Sequence, residues 1–360
     1  MKKIWTCLLI AALSMGLLAG CKKEEPKEPT PQKPAAEKPV EKDPHAGEAR
    51  SYLTGMWVDK ELAKKRPVAV MLGNTPAALP QYGISEADVI IEAPVEGGLT
   101  RLMAIFQDYE ALERVQSVRS CRHYYVDWML EFDAIYAHYG QSKYAKAVLS
   151  QDHVDNLNGM EAKMSRDLYL RDSSRKAPHN SYTDGAHLRD AIAYKEYETE
   201  HSADYQRHYR FTEDDEKQIQ LSEGQEAGIV RPGYRQSDPK FVYNEATGLY
   251  DRYEYGAKQV DAIDNSQLSC KNIILQICDW KVIDDQYGYL DVDTMDGQKG
   301  YYITNGKAMP ITWSKESQTA PTRYFYEDGT EITLNQGKTW VSVIQDTYAD
   351  RITIGNTEEE

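Results

Sequence analysis

The sequence predicts an α/β N-terminal domain, a mixed sheet with helices, followed by a smaller, mostly-β C-terminal domain. Two patterns support this fold class. Between residues 67 and 149, short apolar runs typical of buried strands alternate with segments of helical spacing. Between residues 239 and 355, aromatic and polar residues alternate around tight-turn pairs, as in antiparallel strands. Roughly 310 residues follow a proline-rich N-terminal stretch, which is enough for two domains.

The α/β domain is assigned to residues 50–205. Residues 67–72, 88–93 and 100–106 are apolar runs of strand length. The glycine pair of the segment 96–98 joins the last two runs, so these two are predicted to form a hairpin.

Two helices and a strand are predicted next. Residues 123–132 have helical spacing, and residues 134–138 form an apolar run that Gly140 ends. Residues 142–149 are predicted as a helix with Ser142 as its N-cap, because a serine side chain can accept a hydrogen bond from the first turn.

The C-terminal domain is assigned to residues 239–355. Residues 206–238 are polar, have few apolar anchors and are interpreted as the inter-domain connection. Trp313 and Trp340 are interpreted as core rings. Three pairs indicate hairpin turns, namely Thr247-Gly248, Asn305-Gly306 and Asp328-Gly329.

Residues 1–20 are predicted to be a lipoprotein signal peptide. Two lysines precede an apolar run over residues 4–18, and small residues stand directly before Cys21. The alternative is an uncleaved membrane helix, but the run is shorter than the roughly 20 residues that span a bilayer. Cys21 is therefore the expected site of lipidation, with palmitate among the expected acyl groups.

Residues 21–49 are predicted to be the lipidated cysteine and a disordered tether. This stretch is rich in Lys, Glu and Pro and holds almost no apolar residue with which to form a core. The expected location is the cell membrane, where the lipid anchor would hold the folded part at the extracytoplasmic face.

The formal net charge of −15 argues against nucleic acid as a partner, because phosphate backbones require a basic surface. Outside the first 21 residues the cysteines are Cys121, Cys270 and Cys278. Cys270 and Cys278 lie too far apart along one strand to bridge, so free buried thiols are expected. The 26 tyrosines favour half-exposed strand faces, and a glycan- or protein-binding surface is the alternative.

A cluster of arginines is the first candidate binding site. Arg101, Arg119 and Arg122 are cations in an acidic protein, and arginine binds carboxylate or phosphate with two parallel hydrogen bonds. Arg119 and Arg122 would share a face if both lay at a helix start. Glu92 and Glu96 are expected to balance these charges. A structural ion-pair network and an anion site remain equally open at this stage.

Five more residues complete the candidates. His138 ends a strand, where clefts form in α/β sheets, and Ser142 opens a helix whose free N–H groups would attract an anion. Arg175, His179 and Asn180 belong to the loop-like segment 171–182, which has no periodic core pattern. A solvent-facing loop without function is the alternative for these three.

No complete catalytic, cofactor or metal motif is present in the sequence. Cys121 near His123 raises a thiol nucleophile as a minor hypothesis. Residues 291–297 resemble a calcium loop, but Met295 and Asp296 break the EF-hand pattern and favour an acidic turn. The sequence therefore predicts no cofactor and no metal, and it assigns no catalytic residue.

A set of stretches spread over both predicted domains resembles one known family, namely residues 66–74, 85–106, 117–127, 131–142, 176–183, 306–315 and 332–344. Through these stretches the chain resembles the YerB family of bacterial lipoproteins. The resemblance implies an N-terminal α/β domain and a mostly-β C-terminal domain, and it implies no biochemical activity. The family usually has alanine where Cys121 stands, which weakens the thiol hypothesis.

Two functions agree with these features. The first is a binding or scaffold lipoprotein whose arginine-lined cleft accepts an anion, with an envelope glycan, an anionic ligand or a protein as partner. The alternative is an envelope enzyme that acts on a phosphate- or carboxylate-bearing cell-wall substrate. In that case the three arginines would clamp the anion, and the acid or base would be Glu92, Glu96, His138 or His179.

Overall fold

The computed structural model describes residues 44–357. The predicted signal peptide, Cys21 and most of the predicted tether lie outside the described residues. From His45 onward the chain forms one compact unit. Its first strand begins at Glu48, just before the predicted start of the α/β domain at residue 50. None of the helices within residues 44–357 is both long and apolar enough to cross a membrane.

The N-terminal half combines strands with all five described α-helices. The helices are α1 (Lys60–Lys64), α2 (His123–Glu131), α3 (Lys143–Leu149), α4 (Ala162–Asp167) and α5 (Gly185–Lys195). The strands are β1 (Glu48–Arg50), β2 (Trp57–Asp59), β3 (Val68–Asn74), β4 (Val89–Pro94), β5 (Thr100–Phe106), β6 (Val115–Gln116), β7 (Ile135–His138), β8 (Asn156–Asn158), β9 (Leu170–Arg171) and β10 (Ser181–Thr183). Short 3₁₀ helices lie at Pro76–Ala78, Ile84–Glu86, Glu96–Gly98 and Tyr109–Ala111.

The C-terminal half is mostly strands, so the predicted fold class is confirmed. Its strands are β11 (Gln225–Glu226), β12 (Ile229–Arg231), β13 (Lys240–Asn244), β14 (Leu249–Glu254), β15 (Ala257–Lys258), β16 (Ser269–Cys270), β17 (Asn272–Cys278), β18 (Trp280–Asp284), β19 (Tyr289–Val292), β20 (Lys299–Thr304), β21 (Lys307–Ser314), β22 (Arg323–Phe325), β23 (Thr339–Gln345) and β24 (Thr353–Gly355). A 3₁₀ helix covers Asp346–Arg351. The segment 206–238, interpreted as a connection, also supplies β11 and β12 to sheets of this half.

One central sheet runs through both halves. Its order is β11-β21-β20-β17-β23-β4-β5-β3-β7-β8, with β22 beside β21. The halves meet where β23 pairs in parallel with β4. A second sheet of the C-terminal half has the order β15-β14-β13-β12-β24, with β16 beside β14, and Arg252 of its strand β14 contacts Glu92 of β4. Because both faces of β3, β4 and β5 are covered, these strands are apolar almost throughout.

Strand alternation assigns side chains to the two faces of the central sheet. On one face, Met71 and Met103 pack in a core cluster with Tyr124 of α2. On the other face, Val70 and Ala104 pack in a second cluster. Trp340 lies in the second cluster and Trp313 in the first, and both are buried, as predicted.

Local signals predicted several elements closely. The strand predicted over residues 100–106 is β5, and Ser142 caps α3 by accepting a hydrogen bond from Ala145 N–H at 3.1 Å. The turn Asn305-Gly306 joins β20 to β21. Helix α5 is not among the predicted elements, although Asp184 before it is an N-cap residue that accepts from His187 N–H at 2.9 Å.

Candidate functional site

The arginine cluster lies at the edge of the central sheet where β3, β4 and β7 end. These three strands share one direction, and β5 runs antiparallel between β3 and β4, so its first residues reach the same edge. Arg101 of β5 is paired in register with Gly73 and Ala93. Clefts form at this edge of α/β sheets because the connecting segments diverge there.

Arg122 is bound to an acid. Its Nε and Nη2 donate to the two carboxylate oxygens of Glu96 at 2.5 and 2.6 Å. Burial disfavours the charge, but Glu96 raises the pKa of the Arg122 guanidinium. The helix begins at His123, so Arg119 and Arg122 do not share a helical face as the sequence had indicated. For Arg122, the structural ion-pair interpretation therefore describes the contact that is made.

Arg101 and Arg119 have no such partner. Within residues 44–357, neither guanidinium lies within 4.0 Å of a carboxylate oxygen. Only 9% of the Arg101 surface is exposed, and within residues 44–357 its guanidinium donates a hydrogen bond only to the carbonyl of Ser120. Burial and the charges of Arg122 and Arg119 lower the pKa of Arg101 to about 10. These cations crowd one another, an arrangement that an added anion would relieve.

Arg119 lies between Gly73 and the second candidate loop. A Cβ at Gly73 would stand 3.0 Å from Arg119 Cγ, so glycine provides the space that this side chain occupies. Arg119 Nη1 donates to the carbonyl of Pro178 at 3.0 Å. The arginine cluster and the loop 171–182, predicted as separate candidates, are therefore neighbours.

Arg171 of this loop also has no carboxylate oxygen within 4.0 Å among residues 44–357. Its guanidinium stacks on the ring of Tyr139 at 4.3 Å and donates to Asn180 Oδ1 at 3.3 Å. Arg175 instead donates to the carbonyls of Ala78 and Pro80, at 2.8 and 2.6 Å, and so holds the loop in place.

His179 is a neutral imidazole at this site. Burial lowers its pKa, and the charges of Arg119 and Arg175 lower it further. Its buried Nδ1 has no hydrogen-bond partner. It is the candidate histidine that lies beside the unpaired arginines.

A cleft of about 480 Å³ is lined by Arg119 and Arg171, and we call it the arginine cleft. No Asp or Glu is among its lining residues, although the whole chain carries a net charge of −15. Ser181 also lines it, and its buried Oγ has no hydrogen-bond partner. The polar lining residues are Arg119, Ser120, Gln141, Arg171 and Ser181.

Glu92 does not balance the arginine cluster, contrary to the expectation from the sequence. Successive residues of a strand face opposite sides, so Glu92 faces away from the side on which Ala93 pairs with Arg101. Its Oε2 instead accepts from Arg252 of β14 at 2.6 Å, and both side chains are fully buried. Glu92 therefore belongs to a structural contact between the two halves.

His138 and Ser142 do not reach the arginine cleft either. His138 is buried, and its ring nitrogens lie 2.9 Å from the Gly140 carbonyl and 3.3 Å from Asn156 Oδ1. Burial lowers its pKa to about 4, so it is neutral at physiological pH. Ser142 caps α3, so its hydroxyl is occupied by the helix rather than by a ligand.

Sequence reasoning did not single out Arg171, Ser181, Tyr139 or Gln141. Arg171 and Ser181 lie in the candidate loop 171–182, and the excess of basic residues in this loop is the feature of the sequence that points to a binding site there. Tyr139 and Gln141 directly follow the end of β7, the position where clefts form.

The three cysteines of the described chain are free and buried, as predicted. Burial raises the pKa of Cys121 to about 12, and its thiol faces the carbonyl of Arg122 at 3.1 Å. A thiol in this state stays protonated at neutral pH, which removes the basis of the nucleophile hypothesis.

The acidic segment 291–297 makes ordinary protein contacts. Asp291 lies 2.9 Å from His123 Nε2, and Asp293 accepts from the backbone N–H groups of Met295 and Asp296 at 2.9 and 3.0 Å. Across the described chain, residues 44–357, no group of three or more His, Cys, Asp or Glu side chains is arranged to hold a metal ion.

Two family models match the chain. The model described as "Protein of unknown function (DUF3048) N-terminal domain" matches residues 53–198, and that of the corresponding C-terminal domain matches residues 230–341. The arginine cleft lies within the first of these.

A relative of similar length and a solved structure complete the comparison. The chain is 31% identical over 315 residues to a protein of Bacillus subtilis (strain 168) named "Putative lipoprotein YerB", and the match covers 86% of this chain and 90% of that protein. A crystal structure of the YerB protein from Bacillus subtilis matches with a TM-score of 0.74 at 29% identity, over 85% of this chain and 99% of that one. The chain therefore belongs to the YerB family, whose two domains are those of DUF3048.

Proposed function

We propose that this protein is a lipid-anchored binding protein of the cell envelope, and that its arginine cleft accepts an anionic group of an extracytoplasmic ligand. The lipoprotein signal of residues 1–20 and the name of the Bacillus relative support the anchor. One observation carries the binding site. Arg119 and Arg171 line a cleft without any acidic lining residue, in a protein that is acidic as a whole.

Binding is favoured over catalysis by the state of the proposed acid–base groups. Glu92 and Glu96 are held by Arg252 and Arg122, and His138 is buried away from the cleft. General acid–base chemistry requires a group within hydrogen-bond reach of the substrate. Of the four groups considered, His179 alone lies beside the cleft.

The anchor is tested by replacing Cys21 with alanine. Cells that produce the full chain are fed an alkyne-bearing palmitate, and the label is detected in a gel. We expect the wild type to be labelled and Cys21→Ala to carry no label, because the thiol is the group that is lipidated. The matched control is Cys7→Ala, which removes a thiol from the predicted signal peptide and is expected to leave the labelling intact. Labelling of Cys21→Ala at the wild-type level would contradict the anchor.

The cleft is tested with inorganic phosphate as a generic anion. A ligand that binds only the folded state at ten times its Kd adds about 1.4 kcal/mol to the free energy of unfolding. We expect this gain for the wild-type chain in urea titrations, and we expect Arg119→Gln to lose most of it.

Phosphate also stabilises proteins nonspecifically, so the comparison must be made between variants at equal phosphate. The matched control is Arg189→Gln on α5, where the exposed Arg189 contacts only its neighbour Asp190. An equal response of Arg119→Gln and Arg189→Gln would exclude the cleft as the anion site.

A further inference from the structure

The charges at the arginine cleft exceed what a singly charged ligand balances. Arg119 and Arg171 line the cleft, and within residues 44–357 neither guanidinium lies within 4.0 Å of a carboxylate oxygen, while Arg122 is already neutralised by Glu96. A carboxylate or a phosphodiester carries one negative charge. A phosphomonoester carries about 1.5 to 2 negative charges at pH 7. The phosphomonoester therefore gains the most from this local field.

The unused hydrogen-bond donors point to the same chemistry. Each guanidinium has five N–H donors in a planar fork, yet Arg119 donates to a single backbone carbonyl and Arg171 to a single side-chain oxygen. Only 1% of the Ser181 surface is exposed, and its Oγ has no hydrogen-bond partner among the described residues. A phosphomonoester has three terminal oxygens that can accept from such donors, whereas a carboxylate and a phosphodiester each have two.

The lining also limits what accompanies the anionic group. With no Asp or Glu in the cleft, an ammonium group of a zwitterion would find no carboxylate partner there. The volume of about 480 Å³ is in the range of small-molecule sites and leaves room for an organic group beside the phosphate. Met160, which is 66% exposed, and Pro178 line that space with apolar surface.

We infer that the arginine cleft recognises a phosphomonoester, with the phosphate held by Arg119, Arg171 and Ser181 and the ester group against Met160 and Pro178. This inference rests on the proposed function and makes it specific. Either a lipid headgroup or a soluble ester could present the same chemistry.

The test compares three ligands that share one aromatic ring. Phenyl phosphate is a monoester, methyl phenyl phosphate a diester and benzoate a carboxylate. Each is titrated by calorimetry into the full chain purified in detergent. We expect phenyl phosphate to bind about tenfold more tightly than either of the others, because each additional charged hydrogen bond contributes roughly that factor.

Variants assign the binding to the cleft. Arg171→Gln and Ser181→Ala are expected to weaken phenyl phosphate binding by roughly tenfold and severalfold, and Arg119→Gln by about tenfold or more. The matched control is Arg166→Gln, because the exposed Arg166 pairs with Asp167 on α4. Thermal unfolding of every variant verifies that it folds. If Arg119→Gln does not fold, Arg171→Gln still tests the cleft, because Arg171 is exposed and its replacement is expected to leave the fold intact.

The outcomes separate the two proposals. If all three ligands bind equally and Arg119→Gln and Arg171→Gln weaken that binding, the inferred preference for a phosphomonoester is wrong, whereas the proposed anion site in the cleft is retained. Binding that no cleft variant weakens would overturn both. Competition against phenyl phosphate distinguishes the source of the phosphomonoester. Phosphatidic acid in mixed micelles represents a lipid headgroup, and glycerol 3-phosphate represents a soluble ester. Phosphatidylglycerol, a diester, is expected not to compete.

Discussion

Replacing Arg252 with methionine is expected to lower the free energy of unfolding by about 3–5 kcal/mol, because the change leaves a buried carboxylate without its cation. Arg252 Nη2 donates to Glu92 Oε2 at 2.6 Å, and neither side chain is exposed. The guanidinium also lies between the rings of Phe241 and Trp340, at 4.5 and 4.4 Å from their centres. Methionine fills much of the same space between the rings, so the expected loss reports mainly on charge.

A second carboxylate shares this arginine. Glu254 lies 3.9 Å from Arg252, and its Oε2 accepts from Asn74 at 3.0 Å. Burial raises the pKa of Glu254 to about 7, with Glu92 adding to the effect and Arg252 opposing it. Glu254 therefore holds a proton readily, and Glu92 is the carboxylate that depends on Arg252.

The measurement is urea unfolding of single and double variants. Glu92→Gln in the Arg252→Met background should recover part of the loss, because the uncompensated charge is gone. The matched control, Arg189→Met, alters an exposed arginine and should stay within about 0.5 kcal/mol of wild type. A loss below about 1 kcal/mol for Arg252→Met would contradict the assignment of Glu92 as a buried charge.

Replacing Lys315 with methionine is expected to cost about 3 kcal/mol for the same reason. Lys315 Nζ donates to Glu131 Oε1 at 2.8 Å, and His208 Nε2 contacts the other oxygen of Glu131. Thr322 contributes two further hydrogen bonds to this carboxylate, from its N–H at 3.2 Å and its hydroxyl at 2.8 Å. The loss is expected at the lower end of the range because Thr322 still donates its two hydrogen bonds to the Glu131 carboxylate.

The same network makes stability depend on pH in the acid range. Burial alone would raise the pKa of Glu131, but Lys315 and His208 lower it from 4.5 to about 2. A depressed pKa stabilises the fold at pH values above about 4.5, and the contribution of about 3 kcal/mol is lost as the pH falls toward 2. In urea titrations between pH 5 and pH 2, the free energy of unfolding should therefore fall less steeply for Glu131→Gln than for wild type. An identical fall for the two proteins would show that folding does not lower the pKa of Glu131.

These two networks join the halves of the chain. Glu92 and Glu131 come from β4 and α2, whereas Arg252 and Lys315 come from the mostly-β half. Together with the parallel pairing of β4 and β23, they make the two halves of this chain parts of one folded unit.

Local patterns in the sequence determined several of the elements and the fold class. The apolar run over residues 100–106, the cap at Ser142 and the turn pair Asn305-Gly306 are each contained within a few residues, so periodicity and turn chemistry identify them directly. The sequence also determined the prediction of a lipoprotein signal ending at Cys21, because that signal consists of adjacent residues.

The tertiary structure alone decided which charges meet. Arg119 and Arg122 are alike in sequence, yet Arg122 contacts Glu96 and Arg119 faces a cleft without an acid. Glu92 is near the arginines in sequence, but strand alternation turns it to the opposite face, where its partner Arg252 is 160 residues away. Ion pairing depends on distances of a few ångströms across the folded chain, and such distances are not encoded in any local pattern.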